Sequence, residues 1–251
     1  MAYEDQALDI TFDTEAGETS VYHVRDALGN TMRVLEVEGS LQSATFLGDR
    51  YCELVFDYTK RLDVAFEARP GATSCLVLGG GGFSYPKHLI ATRPECVVDV
   101  VEADEGIVDV AYEFFYLDRL EEEYDLARTG RLRTHVAEGA AFLSSCCRTF
   151  DVIVVDLYRG PEPDESLLSP DGMSDLARAA GRRGIVAANV VSALEGPGAE
   201  RLGRAMRALK GAFAHAAVAR VGEGDPAEED NLVVLASQEA ISASGVMPWG
   251  E

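Results

Sequence analysis

The run Ser74-Cys-Leu-Val-Leu-Gly-Gly-Gly-Gly-Phe-Ser84, followed by Val97-Val-Asp-Val-Val-Glu102, decides the fold class. In the first segment an apolar run breaks into four glycines; in the second, another apolar run ends on an acid 20 residues beyond Gly82. Near-continuous apolar runs are what strands buried on both faces of a parallel sheet require. Glycines at the end of such a strand let the chain turn sharply while its backbone approaches a ligand. A carboxylate at the tip of the next strand can accept hydrogen bonds from both hydroxyls of a ribose. The expected occupant is a nucleoside-containing cofactor. A nicotinamide dinucleotide fits less well, because Ser84 stands where a GxGxxG loop places its third glycine.

Outward from this stretch, strands and helices alternate. Strands are expected at 74–78, 97–102, 132–136, 150–155, 184–190, 214–221 and 231–236, and helices at 86–92, 105–115, 140–147, 174–180 and 199–211. Asp104 suits the cap of the second helix, and Pro86 the first turn of the first. The alternation specifies a mostly parallel, seven-stranded sheet covered by helices on both faces. The acidic loop at 222–230 leaves no room for a helix between the last two strands, so the last is expected to run antiparallel. Upstream, Leu8–Phe12, Ser20–Val24 and Met32–Val37 alternate with period two between turn residues, the pattern of a small antiparallel sheet. Tyr51, Leu54, Val55, Tyr58 and Leu62 form a stripe that predicts one helix from Asp49 to Glu67. The expected division is a small β-domain with its linking helix over 1–60 and an α/β domain over 61–251.

Composition narrows the function classes. The 251 residues are 47% hydrophobic, enough for a full core, and 43 acids against 22 bases give a net charge of −21. Such a surface repels nucleic acid and tolerates a cationic substrate. The opening Met1-Ala-Tyr-Glu-Asp-Gln6 is acidic and polar, unlike a targeting leader, and no apolar run approaches a membrane span. Five cysteines (Cys52, Cys75, Cys96, Cys146, Cys147) include no CxxC pair, which fits reduced thiols in a cytoplasmic protein. The four histidines show no ligand spacing, so no metal is expected.

Several segments together resemble the spermidine synthase family, polyamine aminopropyltransferases with a methyltransferase-like Rossmann domain behind a small β-domain. The similarity runs from about Ser20 to Ser237. Leu35-Glu-Val-Glu-Gly-Ser-Leu-Gln42 and Asp49-Arg-Tyr-Cys-Glu53 resemble the β-domain, with Gln42 and Tyr51 at the positions of a cofactor-contacting glutamine and a catalytic tyrosine. Gly79, Gly80, Gly81 and Gly82 match the glycine loop, Glu102 and Ala103 the ribose-binding segment, and Glu138 and Gly139 the adenine-contacting segment. Phe150-Asp-Val-Ile-Val-Val-Asp156 ends on the position of the catalytic aspartate, and Tyr158 and Arg159 just beyond are the expected substrate contacts. The resemblance implies transfer of an aminopropyl group from decarboxylated S-adenosylmethionine to an amine, without a metal, in a homodimer or homotetramer.

Departures from the pattern leave other readings open. Gly82 replaces an aspartate implied to hold the ammonium of the aminopropyl group, and Arg159 replaces an acid implied to bind the diamine. The chain also stops soon after Ser237. Gly82 and Arg159 favour a methyltransferase using intact S-adenosylmethionine as the alternative, since an acid near the tail would repel its carboxylate. The short C-terminus favours a non-catalytic nucleoside-binding relic. Pro161, Pro163 and Gly172 suggest that the 158–173 loop is a lid.

Overall fold

The computed structural model describes residues 8–159 and 162–250, so the N-terminal segment through residue 7 and Pro161 lie outside the described residues. Four strands come first: β1 (Asp9–Thr14), β2 (Gly17–Arg25), β3 (Thr31–Val37) and β4 (Ser40–Phe46), paired antiparallel in that order. Two short helices follow, α1 (Asp57–Arg61) and α2 (Val64–Ala68). Then come β5 (Ser74–Leu78), α3 (Ser84–Thr92), β6 (Val97–Glu102), α4 (Glu105–Phe114), α5 (Leu117–Glu123), α6 (Leu126–Thr129), β7 (Leu132–Val136) and α7 (Gly139–Ser145). The remainder comprises β8 (Val152–Val155), β9 (Tyr158–Arg159), β10 (Glu162–Pro163), α8 (Pro170–Ala180), β11 (Ile185–Ser192), α9 (Glu200–Ala212), β12 (His215–Arg220), β13 (Asp230–Ser237) and β14 (Val246–Pro248).

The large sheet has the order β14-β12-β13-β11-β8-β5-β6-β7. β8 pairs parallel with β5 and β11, β6 parallel with β7, and β13 antiparallel with both its neighbours. All seven expected strands are present, with the last inserted antiparallel. The eighth, β14, is added along β12 and has the register Val218↔Met247. Three residues that include a proline carry no alternation, so periodicity does not reveal it.

The chain divides into two units of dense internal contact. One comprises 1–56, 79–138 and 157–163; the other 57–78, 139–156 and 164–251. In the first, Val21, Leu35 and Val37 of the small sheet pack on Ile107, Val110 and Phe114 of α4. Asp104 caps α4 as expected, its Oδ1 accepting the Gly106 N–H at 2.7 Å, while its Oδ2 accepts the Ala16 N–H at 2.7 Å. One carboxylate thus starts the helix and ties the β1–β2 turn to it. In the second unit, Ser169 caps α8 through the Gly172 N–H, with Pro170 at the first helical position.

Two expectations require correction. Residues 49–67 do not form one helix: a single 3₁₀ turn at Gly48–Arg50 and a non-helical stretch precede α1 and α2. The Tyr51 carbonyl accepts the Thr45 hydroxyl at 3.1 Å, a tertiary bond that takes the place of a helical one. Gly172 does not belong to the loop expected over 158–173 either. It lies within α8, where a Cβ would come 2.8 Å from the Leu167 backbone, so it serves close packing. Among the described residues no helix is long and apolar enough to cross a membrane. None of the five cysteines is in a disulfide among the described residues, and Cys75 and Cys96 are buried.

Candidate functional site

The glycine loop spends all four of its N–H groups inside the first unit. Gly79 donates to the Val101 carbonyl at 2.9 Å, Gly80 and Gly81 to Glu102 Oε2 at 2.9 and 3.0 Å, and Gly82 to Ser43 Oγ at 2.9 Å. Gly79 (φ +94°) and Gly81 (φ +48°) adopt conformations that disfavour a side chain, and buried Phe83 sits left-handed at φ +55°. A left-handed phenylalanine is costly and persists only where its surroundings enforce it. At Gly82 a Cβ would lie 2.8 Å from the Phe115 ring and 2.9 Å from Ser43 Cβ. The aspartate of the family pattern therefore has no room here.

Glu102 ends β6 with both oxygens in use, since Oε1 accepts the Asp104 N–H at 3.1 Å. A carboxylate has about four acceptor positions, so some capacity remains for a ribose hydroxyl. Two loop amides converging on one anionic oxygen form a nest that elsewhere would hold a phosphate. Here the protein's own carboxylate fills it and would repel a phosphate. The loop suits a nucleoside without phosphates better than a dinucleotide.

Gln42 occupies a β-bulge: Ser43 pairs with Leu35 and Leu41 with Glu36, leaving Gln42 as the extra residue. Bulges redirect a side chain and disrupt the ladder locally. Ala103 is exposed between Glu102 and the cap Asp104. Glu138 is exposed after β7, and Gly139 is the buried first residue of α7. Tyr158 and Arg159 form β9, in register with Pro163 and Glu162.

Tyr51 is buried, with its hydroxyl donating to Glu123 Oε2 at 2.9 Å, its ring 5.4 Å from that of Tyr116, and the Arg119 guanidinium over its face. Burial and the neighbouring Cys52 and Glu123 push its phenol well above the usual range. The Cys52 thiol is also pushed up, chiefly by burial. Close by, Lys87 is wholly buried, donating to the Phe115 carbonyl at 2.6 Å and to Thr45 Oγ1 at 3.3 Å. Burial lowers its ammonium to about 7; nearby Cys52 opposes the fall and Arg33 adds to it.

Asp156 belongs to the second unit, directly after β8, with its N–H on the Leu78 carbonyl at 2.9 Å. Its carboxylate accepts the Tyr58 hydroxyl at 3.0 Å and the Asn189 amide at 3.0 Å. Burial raises its pKa above 3.8, while the bonds from Asn189 and Tyr58 hold it back. Because Ala188 of β11 pairs with Val155, register puts Asn189 beside Asp156. Among the described residues the Asn189 Oδ1 is buried with no hydrogen-bond partner, an acceptor still lacking a donor. The tyrosine at Asp156 is thus Tyr58 of α1, whereas Tyr51, in the other unit, is engaged by Glu123.

Tyr58, Asn189, Ser43 and Lys87 are not among the site residues expected from the sequence. Asn189 had a signal, as a polar residue interrupting the apolar run Ile185–Val191. Tyr58 had none, because it shares an apolar stripe with core residues.

The family model of the spermine/spermidine synthase domain matches residues 57–192. A polyamine aminopropyltransferase of a Ruegeria species is 30% identical over 188 residues, covering 74% of this chain and 61% of the relative. One from Vibrio vulnificus is 23% identical over 191 residues, covering 70% and 61%. The chain thus spans 61% of the length of these two relatives. Among solved structures, a probable spermidine synthase from Corynebacterium glutamicum superposes with a TM-score of 0.77 at 18% identity, covering 95% of this chain and 83% of that one. The human methyltransferase-like protein 13, solved with SAH, shares the fold at a TM-score of 0.59 and 19% identity, covering 76% and 86%. By the match of its central half and more, this chain belongs to the spermine/spermidine synthase family.

Proposed function

We propose that the protein is a cytoplasmic aminopropyltransferase that moves an aminopropyl group from decarboxylated S-adenosylmethionine to an amine, as a homodimer or homotetramer. The observation carrying this reading is the Asp156 centre, a carboxylate of raised pKa held by Tyr58 and Asn189. An acceptor amine is protonated near neutral pH, since such groups titrate near 10.4, and must lose a proton before it can attack. A buried carboxylate attracts the ammonium and takes that proton. The amine lone pair then forms a bond to the methylene carbon beside the sulfonium. The carbon–sulfur bond breaks with its electrons going to sulfur, and neutral methylthioadenosine leaves. The sulfonium activates its own departure, so the protein's part is positioning and proton handling.

In this reading Glu102 holds the ribose, with Gly79–Gly82, Gln42, Ala103, Glu138 and Gly139 as nucleoside contacts and Tyr158 and Arg159 near the acceptor. Tyr58 orients Asp156, while Tyr51, at the position of the family's catalytic tyrosine, bonds Glu123. A second reading, methyl transfer from intact S-adenosylmethionine, draws on the crowding at Gly82, which leaves no acid there to favour a decarboxylated tail. Calorimetric titration with methylthioadenosine, decarboxylated S-adenosylmethionine, the intact form and S-adenosylhomocysteine, with turnover on a panel of amines, separates the two. Preference for the first pair with amine-dependent release of methylthioadenosine is expected. Preference for the second pair with methylated product supports the alternative, and nucleoside binding without any turnover refutes both.

A further inference from the structure

Strand β4 is fastened to the start of α3 at three points. Ser43 Oγ accepts the Gly82 N–H at 2.9 Å, Ser84 Oγ donates to the Ala44 carbonyl at 2.9 Å, and Lys87 Nζ donates to Thr45 Oγ1 at 3.3 Å. Ser43 and Thr45, two residues apart, face the same side of the strand, and Ala44 between them offers its carbonyl. Only the Ser43 joint bears directly on the glycine loop. Its Oγ lies 3.0 Å from where a Cβ on Gly81 would sit, and the Gln42 carbonyl 3.9 Å from the same point. Gly80 and Gly81, just before the residue that Ser43 holds, are the two whose amides bind Glu102.

We propose that Ser43 is a positioning residue for nucleoside binding. By accepting the Gly82 N–H, its hydroxyl fixes the loop so that Glu102 and the bulged Gln42 are presented together to one ligand. The inference rests on the nucleoside-binding reading above. Ser43 and Gly82 are both buried, so without this acceptor the N–H is left unsatisfied and can be satisfied again only if the loop moves. The crowding at Gly82 has the same origin, since the serine must come close enough to bond the backbone.

The test compares binding of methylthioadenosine by calorimetry in the wild type, Ser43→Val, Ser43→Thr and Val37→Ala. Valine and threonine have nearly the same shape and differ in the hydroxyl, while Val37→Ala truncates the core of the same small sheet. Ser43→Val is expected to weaken binding about tenfold, within the range for an unsatisfied buried donor. Ser43→Thr and Val37→Ala should stay within about twofold, the latter despite a lowered Tm. A wild type that binds with Ser43→Val unchanged overturns the positioning role alone. Equal weakening in all three variants reduces Ser43 to a structural residue and overturns it too. A wild type that binds neither methylthioadenosine nor decarboxylated S-adenosylmethionine overturns the proposed function, and this role with it.

Discussion

Replacing Lys87 with methionine should remove part of the pH dependence of stability. Lys87 is fully buried, and its ammonium falls from 10.5 to about 7 because burial penalises the charge. At 1.36 kcal/mol for each tenfold change in proton affinity, this corresponds to at most about 5 kcal/mol. The sign follows from linkage. Between pH 7 and 10.5 the unfolded chain binds the lysine proton and the native one does not, so native stability rises with pH. Below about pH 7 both states bind it, and the native state bears the whole cost of a buried charge. Methionine has similar length and no charge, but leaves the Phe115 carbonyl without its donor, a pH-independent loss of about 1–3 kcal/mol. Urea unfolding of both proteins from pH 6 to 9.5 isolates the effect, because every other titrating group is common to them. The variant should gain most relative to wild type at pH 6 and lose about 1.4 kcal/mol of that advantage per pH unit above 7. A difference that stays flat across the range refutes the buried, deprotonating lysine.

Asp156→Asn should reduce turnover by at least about a hundredfold, as removal of a general base does, while methylthioadenosine affinity changes little. It should also stabilise the fold near neutral pH, because a raised aspartate pKa costs stability as pH rises through it; by thermal unfolding, the gain should vanish below about pH 4. Tyr58→Phe removes a hydrogen bond that lowers the Asp156 pKa, so the acid limb of the pH–rate profile should move to higher pH; an unmoved limb would disconnect Tyr58 from the base. Gly82→Ala should cost about 1–3 kcal/mol by overpacking against Phe115. Adding Phe115→Leu should give a double variant more stable in urea than the two single losses sum to, and simple additivity would contradict the predicted clash.

The sequence by itself determined the parts that rest on local rules. The β5 run before its glycines, the acid closing β6, the Asp104 cap and the strands β5, β6, β7, β8, β11, β12 and β13 were all legible. Each is set by side chains within a few residues of one another, through burial, backbone freedom or capping. Composition likewise indicated an acidic chain with no membrane-spanning run.

Only tertiary structure decided which side chains meet. Tyr51 and Tyr58 lie seven residues apart on one apolar stripe and are locally equivalent. Thr45 draws the Tyr51 carbonyl out of a helix and Glu123 binds its hydroxyl, while α1 carries Tyr58 to Asp156. Asn189 reaches the same carboxylate because β11 pairs in parallel register with β8. Ser43 and Gly82 are 39 residues apart, yet bonding one to the other closes the space a side chain would need. Contacts at such separations depend on register and packing, which no window of sequence contains.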